Sequence, residues 1–313
     1  MFIEKLKPIF KGYIKAAITK SSYPTTTGGT DEAAYCYSTW MRHLIKSNSK
    51  VQGIPESVLE LGPGDSLGIG IAALLSGAKR YIGLDILQYW EPNINVDIFD
   101  KLVALYHSKA PLADESKYPF LTPYLESYDF PNDIVSDETL RVSLSSTRLA
   151  EIRRELSHPS IENKYVQFFS PWHIDNVPSA SIDLVFSQAV MQYTDLKSVY
   201  TCFHRWLKKG GLTSHSIDFS SHGITKTWNG QWSFSDSEWR HYSYKKKILL
   251  NREPLSVHKD LLEALNFEII LADRYLKDNN LKPSQLAQRF KNISDQDLKT
   301  HAAFILAIKK THS

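Results

Sequence analysis

The sequence is poor in cysteine, with only Cys36 and Cys202 among 313 residues. Two thiols make neither a disulfide framework nor a four-thiolate metal site, so a reducing compartment, the cytoplasm, is expected. Long apolar runs are missing as well. The longest, 67–75 with its two glycines, falls far short of the roughly 20 residues that cross a bilayer. The N-terminus has no secretory h-region. Charge of one sign is lacking: 37 Lys and Arg against 34 Asp and Glu leave a formal +3. That balance excludes a surface devoted to neutralising nucleic-acid phosphates. Glycine and proline, 14 of each, are too few for collagen-like or low-complexity chain. What remains is an ordinary globular composition, 42% hydrophobic and 23% charged, enough for one large domain or two small ones.

Residues 1–20 set Phe2, Leu6, Ile9, Phe10, Tyr13, Ala17 and Ile18 at helical spacing, with Lys5, Lys7, Lys11 and Lys15 mostly elsewhere. Two readings stand: a basic helix lying on the inner face of an anionic membrane, or one docked on the body with its lysines in water. Loop chemistry follows in 21–30 (SSYPTTTGGT), and a helix is expected over 31–46 behind Asp31. Residues 1–50 thus read as a helical cap on a body spanning 51–313.

The most informative stretch is 57–85, SVLELGPGDSLGIGIAALLSGAKRYIGLD. Val58, Leu59 and Leu61 make a short buried strand, 62–66 a turn, and 67–75 a helix stopping near Gly77. A second strand over 80–84 closes on Asp85, 21 residues beyond Gly64. Such a unit binds a nucleoside, because glycines let the backbone approach the ligand while the carboxylate accepts both ribose hydroxyls. A dinucleotide site wants a third glycine where Leu67 stands, so that a pyrophosphate can rest on the helix N-terminus. Glu60, an anion beside that spot, suits a cationic ligand better.

Glu60-Leu61-Gly62-Pro63-Gly64 resembles the first motif of the class I S-adenosylmethionine-dependent methyltransferases, with Ser66 in place of its last glycine. Residues 176–190, NVPSASIDLVFSQAV, resemble the family's fourth-strand motif, and LKKGGL before the fifth strand is again similar. Further elements read in order: strand 165–169, helix 196–208 stopped at Lys209-Gly210-Gly211, strand 212–217, helix 255–265 and strands 267–272 and 301–308. The resemblance implies a Rossmann-like α/β fold with a seven-stranded mixed sheet of order 3-2-1-4-5-7-6, its last strand antiparallel. It implies S-adenosyl-L-methionine as cofactor, with Glu60, Gly62, Gly64, Asp65 and Ser66 along the methionine half and Asp85 on the ribose. Trp172, in the loop after the third strand, is a candidate for the adenine, against the alternative of a core tryptophan. Gln188 would run beneath the sulfonium.

Two segments exceed the bare fold. The roughly 80 residues between Asp85 and Tyr165 contain helical stretches at 97–107 and 140–156 and are expected to form a helical lid, at about 90–160, over the substrate side. The second, 218–252, carries Trp228, Trp232, Phe234, Trp239, Tyr242 and Tyr244. Rings flat against a sugar's apolar face, with Asp236, Glu238, Arg240, Asn251 and Arg252 for hydroxyls or a phosphate, suit a glycan. Trp228, Trp232, Trp239 and Arg252 are therefore substrate candidates, against the alternative that the rings pack the insertion onto the body.

Methyl transfer is an in-line displacement that needs positioning, desolvation and a base for the acceptor's proton. His222, oriented by Asp218, is the expected base; His215, on the strand face of Ile217, is a third candidate. No metal-ligand spacing is specific enough to assign a metal. The resemblance to methyltransferases of bacterial polysaccharide assembly points to O-methylation of a carbohydrate. The alternatives are a small aromatic or lipid-like acceptor, a cofactor-binding protein without catalysis, and aminopropyl transfer. No Asn-Pro-Pro-aromatic motif follows the fourth strand, where Ser187-Gln188-Ala189-Val190 stands, so no nucleic-acid partner is expected.

Overall fold

The computed structural model describes residues 29–158, 160–243, 249–279 and 281–311. The helix expected over 1–20 and Tyr244 lie outside them. Among the described residues the helices are α1 (Ala33–Asn48), α2 (Gly68–Leu75), α3 (Pro92–His107), α4 (Asp137–Ser143), α5 (Ser146–Ser157), α6 (Leu196–Trp206), α7 (Asp236–Tyr242), α8 (Leu255–Ala264) and α9 (Asp295–Lys299). The strands are β1 (Ser57–Leu61), β2 (Arg80–Leu84), β3 (Val166–Phe169), β4 (Ile182–Gln188), β5 (Leu207–Asp218), β6 (Phe267–Leu276) and β7 (Thr300–Lys309).

The strands form one sheet in the order β3-β2-β1-β4-β5-β7-β6, as expected. β1 to β5 pair in parallel, and β7 runs antiparallel between β5 and β6. A parallel sheet must be covered on both faces, because its crossover helices lie there, and the strands show it. In β1 Val58 faces the cluster of α1, α2 and α3, while Leu59 and Leu61 face that of α6 and α8. α6 shows how a sequence pattern becomes a docked face: Leu196, Val199, Tyr200, Phe203 and Trp206 are buried, and the Asp195 side chain caps the Ser198 N–H at 3.3 Å.

Two expected boundaries differ. Residues 208–211 do not end a helix before the fifth strand; β5 begins at Leu207 and takes Gly210, at φ +75°, into an irregularity opposite Ile182 and Leu184. Glycine's freedom there lets the ladder resume instead of breaking. The helix expected over 140–156 is two helices, because Ser145 adopts an extended conformation (φ −61°, ψ 142°) and starts α5 anew.

Candidate functional site

The nucleotide-type unit folds as a strand, a turn, a helix and a strand. Gly62 and Gly64 both sit at φ +74°, a region closed to most side chains. A Cβ on Gly62 would lie 2.6 Å from Val190 Cγ2, so the loop after β4 closes directly over the turn. The Gly62 N–H donates to the Leu84 carbonyl at 2.8 Å, setting the turn beside the tip of β2 and Asp85. Burial draws the Asp85 pKa up, opposed by hydrogen bonds from the N–H groups of Ile86, Leu87 and Gly64. Gly62, Gly64 and Asp85 are therefore brought together, with Asp65 half-buried in the same turn.

At the N-terminus of α2 the protein supplies its own acceptors. The Ser66 N–H donates to Thr30 Oγ1 at 3.2 Å, the Leu67 N–H to Asn95 Oδ1 at 2.8 Å, and the Gly68 N–H to Ser66 Oγ at 3.0 Å. The groups that would cradle a diphosphate are already satisfied. Two expectations are corrected here. Ser66 is buried, its hydroxyl bonded to the Thr30 carbonyl instead of standing open in the turn. Glu60 points beneath α2, where its carboxyl accepts the Tyr81 hydroxyl at 2.7 Å and is pushed up to about 8 by burial. The reason is strand alternation: Glu60 shares the face of Val58, which is covered by α2.

Past the tips of β4 and β5 lies a cavity of about 330 Å³ lined by Tyr118, Phe120, Tyr124, Gln188, Asp218 and His301, among others. Its roof is chain from the 90–160 insertion, tied down at both ends. The Tyr37 hydroxyl donates to the Ala110 carbonyl at 2.7 Å and Arg42 to that of Ala113 at 2.8 Å; across the cavity the Tyr124 N–H donates to the Tyr275 hydroxyl at 3.0 Å. The expected helical lid is corrected in kind, since residues 117–124 are irregular. The insertion's helices are elsewhere because their apolar stripes, such as Ile98 and Leu102 of α3 and Ile152 and Leu156 of α5, are spent in the sheet-facing core.

Asp218 closes β5 and faces two imidazoles. His222, at a left-handed φ of 45°, sets Nε2 3.5 Å from Asp218 Oδ2, beyond a good hydrogen bond, with its ring near Tyr193. His301, on β7, lines the cavity with Asp218; its carbonyl accepts the Phe219 N–H at 2.9 Å and its ring lies 5.2 Å from that of Trp228. Burial lowers the His301 pKa, the Asp218 charge raises it, and Lys277 and His222 lower it. Sequence reading missed His301, because only the antiparallel pairing of β5 with β7 brings it there. His215 as a catalytic group is corrected. It is fully buried on the α6 face, with Nδ1 2.8 Å from Ser187 Oγ and its ring stacked on Phe203, and burial drives its pKa far down.

The aromatic insertion is corrected as well. Trp232 donates Nε1 to the Arg252 carbonyl at 2.9 Å and packs with Leu281, Leu286 and Phe290. Trp239 is buried with Phe234, Tyr242 and Leu250. Arg252 is held over the Trp239 and Phe290 rings and bonded to Asp236 at 2.6 Å, with its pKa lowered to about 10 by burial. These side chains are committed to two small clusters, Trp232 to one completed by 281–298, a stretch the sequence reading did not single out, and Trp239 to the other, with Arg252 between them over Phe290 and Trp239. Trp228 is half-buried, its Nε1 donating to the Asp278 carbonyl at 2.8 Å. Trp172 packs edge-on against Trp206, leaving it half-exposed. Gln188 meets His43 Nε2 at 3.2 Å and reaches the cavity. Among the described residues no group of three or more His, Cys, Asp or Glu is placed to hold a metal ion, and no helix is long and apolar enough to cross a membrane.

No family profile matches the chain, and no curated protein matches it. Solved structures do. An S-adenosylmethionine-dependent methyltransferase from Mesorhizobium loti is 13% identical over 90% of this chain and 100% of its own, at a TM-score of 0.40. A SAM-dependent methyltransferase from Methanosarcina mazei is 12% identical over 85% of this chain and 98% of its own, at 0.43. A geranyl diphosphate C-methyltransferase from Streptomyces coelicolor, solved with Mg2+, geranyl diphosphate and S-adenosyl-L-homocysteine, is 11% identical over 87% of this chain and 77% of its own, at 0.44. At such scores the chemistry has to be argued from this chain's own residues.

Proposed function

We propose that the chain is an S-adenosylmethionine-dependent methyltransferase acting on a hydroxyl. The observation that carries this reading is the pairing of a left-handed Gly62–Gly64 turn with Asp85 at the neighbouring strand tip, beside a helix N-terminus whose donors are already filled. That combination suits a nucleoside without a diphosphate. The fit rests on Asp85, whose half-exposed carboxylate beside the Gly62–Gly64 turn is open to ribose hydroxyls. When bound, the cofactor supplies a methyl group activated by a positively charged sulfur. The chain's own part is to hold the nucleoside with Asp85 and the 62–65 backbone, to bring Gln188 between that site and the cavity, and to keep water from the acceptor oxygen beneath residues 117–124.

For the acceptor, the walls favour a compact aromatic or lipid-like alcohol over a sugar. Tyr118, Phe120, Tyr124 and Tyr275 surround about 330 Å³, the lower end of small-molecule sites. The stacking rings expected for a sugar, Trp232 and Trp239, are in a core instead. Isothermal calorimetry should show binding of S-adenosylhomocysteine and none of NAD. Labelled S-adenosylmethionine should then pass its methyl to members of a panel of phenols and fatty alcohols rather than sugars. Tight binding of NAD would refute the nucleoside assignment; transfer to sugars alone would refute the acceptor class. Binding with transfer to nothing would favour a cofactor-binding protein without catalysis.

A further inference from the structure

We infer that His301, rather than His222, takes the proton of the acceptor hydroxyl, an inference that rests on the methyl transfer proposed above. Both imidazoles neighbour Asp218, but only His301 lines the cavity. Among the described residues its ring nitrogens make no hydrogen bond, and the ring opens on the cavity. The ring packs against Trp228 at 5.2 Å, outside the cavity lining, and lies 6.5 Å from Phe120, which lines the cavity and offers a flat wall to an apolar acceptor. The charges that act on it are Asp218 at the end of β5, His222 in the loop after it and Lys277 after β6, while Lys117, Tyr118 and Tyr124 of the roof and Tyr275 of β6 line the same cavity. Asp218 would steady the imidazolium once formed; Lys277 and His222 oppose it and keep the ring neutral, as a base must be.

In the step, the acceptor oxygen forms its bond to the methyl carbon as the methyl–sulfur bond breaks with its electron pair staying on sulfur. The hydroxyl proton passes to a His301 ring nitrogen and is later released to water. His222 is not among the residues that line the cavity.

Three measurements on the full chain test this. First, His301→Gln should keep its S-adenosylhomocysteine affinity within about twofold, as expected of a base that touches only the acceptor. Second, transfer to the phenol panel at about pH 7 should fall at least about 100-fold in His301→Gln, in kcat more than KM, and recover as alkali ionises the phenol in solution. His222→Gln should lower it less than about tenfold, the scale of a lost exposed charge interaction. Third, Asp218→Asn, which keeps the shape should the histidine variant misfold, should move the acid limb of the pH profile to lower pH. The inference is overturned by a loss that alkali does not relieve, by His222→Gln falling as far, or by an unmoved acid limb. A wild type that binds S-adenosylhomocysteine yet methylates no phenol overturns it too. Failure of the wild type to bind S-adenosylhomocysteine at all would instead sink the methyltransferase reading.

Discussion

Tyr81 and Glu60 share one buried hydrogen bond, and Gly70 makes room for it: a Cβ there would lie 2.0 Å from the Tyr81 ring. The glycine that a dinucleotide motif places for close helix-to-strand packing is thus supplied three residues later than the pattern asks. Gly70→Ala should cost about 3 kcal/mol or more in urea unfolding, since ring and backbone cannot both yield. Glu60 carries a pH signature. Its folded pKa, about 8, exceeds the unfolded value near 4.5, so its stabilising protonated form is complete below about 4.5 and is lost as pH rises through about 8. The wild type's urea midpoint should therefore drop between about pH 5 and pH 8 relative to that of Glu60→Gln; parallel curves would mean that the carboxyl is ionised when folded. Asp85 is the residue proposed above to hold the ribose. Asp85→Ala should weaken S-adenosylhomocysteine binding by about 2 kcal/mol, the worth of a charge-assisted hydrogen bond, and unchanged calorimetry would remove it from the ribose.

Helix α2 illustrates what an element needs beyond its pattern. Its eight residues, GIGIAALL, are all buried, so its N-terminal donors cannot turn to water. They are met by Thr30 from the chain before α1, Asn95 from α3 and Glu60 from β1, which pins three other segments to one helix end. Asn95→Ala leaves the Leu67 N–H without a partner and should cost about 1–3 kcal/mol, measured by thermal or urea unfolding. A loss below about 0.5 kcal/mol would mean that another acceptor moves in. The same crowding keeps the helix end from serving as a phosphate seat.

Across the molecule, three buried imidazoles stand on three elements: His43 on α1, His215 on β5 and His258 on α8. Burial lowers all of them, His43 to about 4 and His258 to about 3. Their unfolded pKa is near 6.5, so below that value the unfolded chain binds protons that the native one refuses, and stability should fall steadily from about pH 6.5 towards pH 4. Urea midpoints measured across that range check it; a flat profile would mean that these rings are reached by protons without unfolding. The roof over the cavity is the other whole-molecule feature. It hangs between α1, through Tyr37 and Arg42, and β6, through Tyr275, and so spans the sheet from one face to the far edge.

The sequence by itself marked the first strand, the glycine turn and the acid at the next strand tip, because these depend on apolar periodicity and on glycine, which act locally; the strand order was implied by the family resemblance and is made by distant pairings such as Val58 with Leu184. It also carried the Asp218–His222 pair, four residues apart. Only the tertiary structure decided which way side chains face. Glu60 turned under a helix, Trp232 and Arg252 inward onto the 281–298 stretch, and Trp239 onto Phe234 and Leu250, since burial is settled by whichever segment lies opposite. His301 stands 83 positions after Asp218 and reaches it because two antiparallel strands pair, a register that no local pattern encodes.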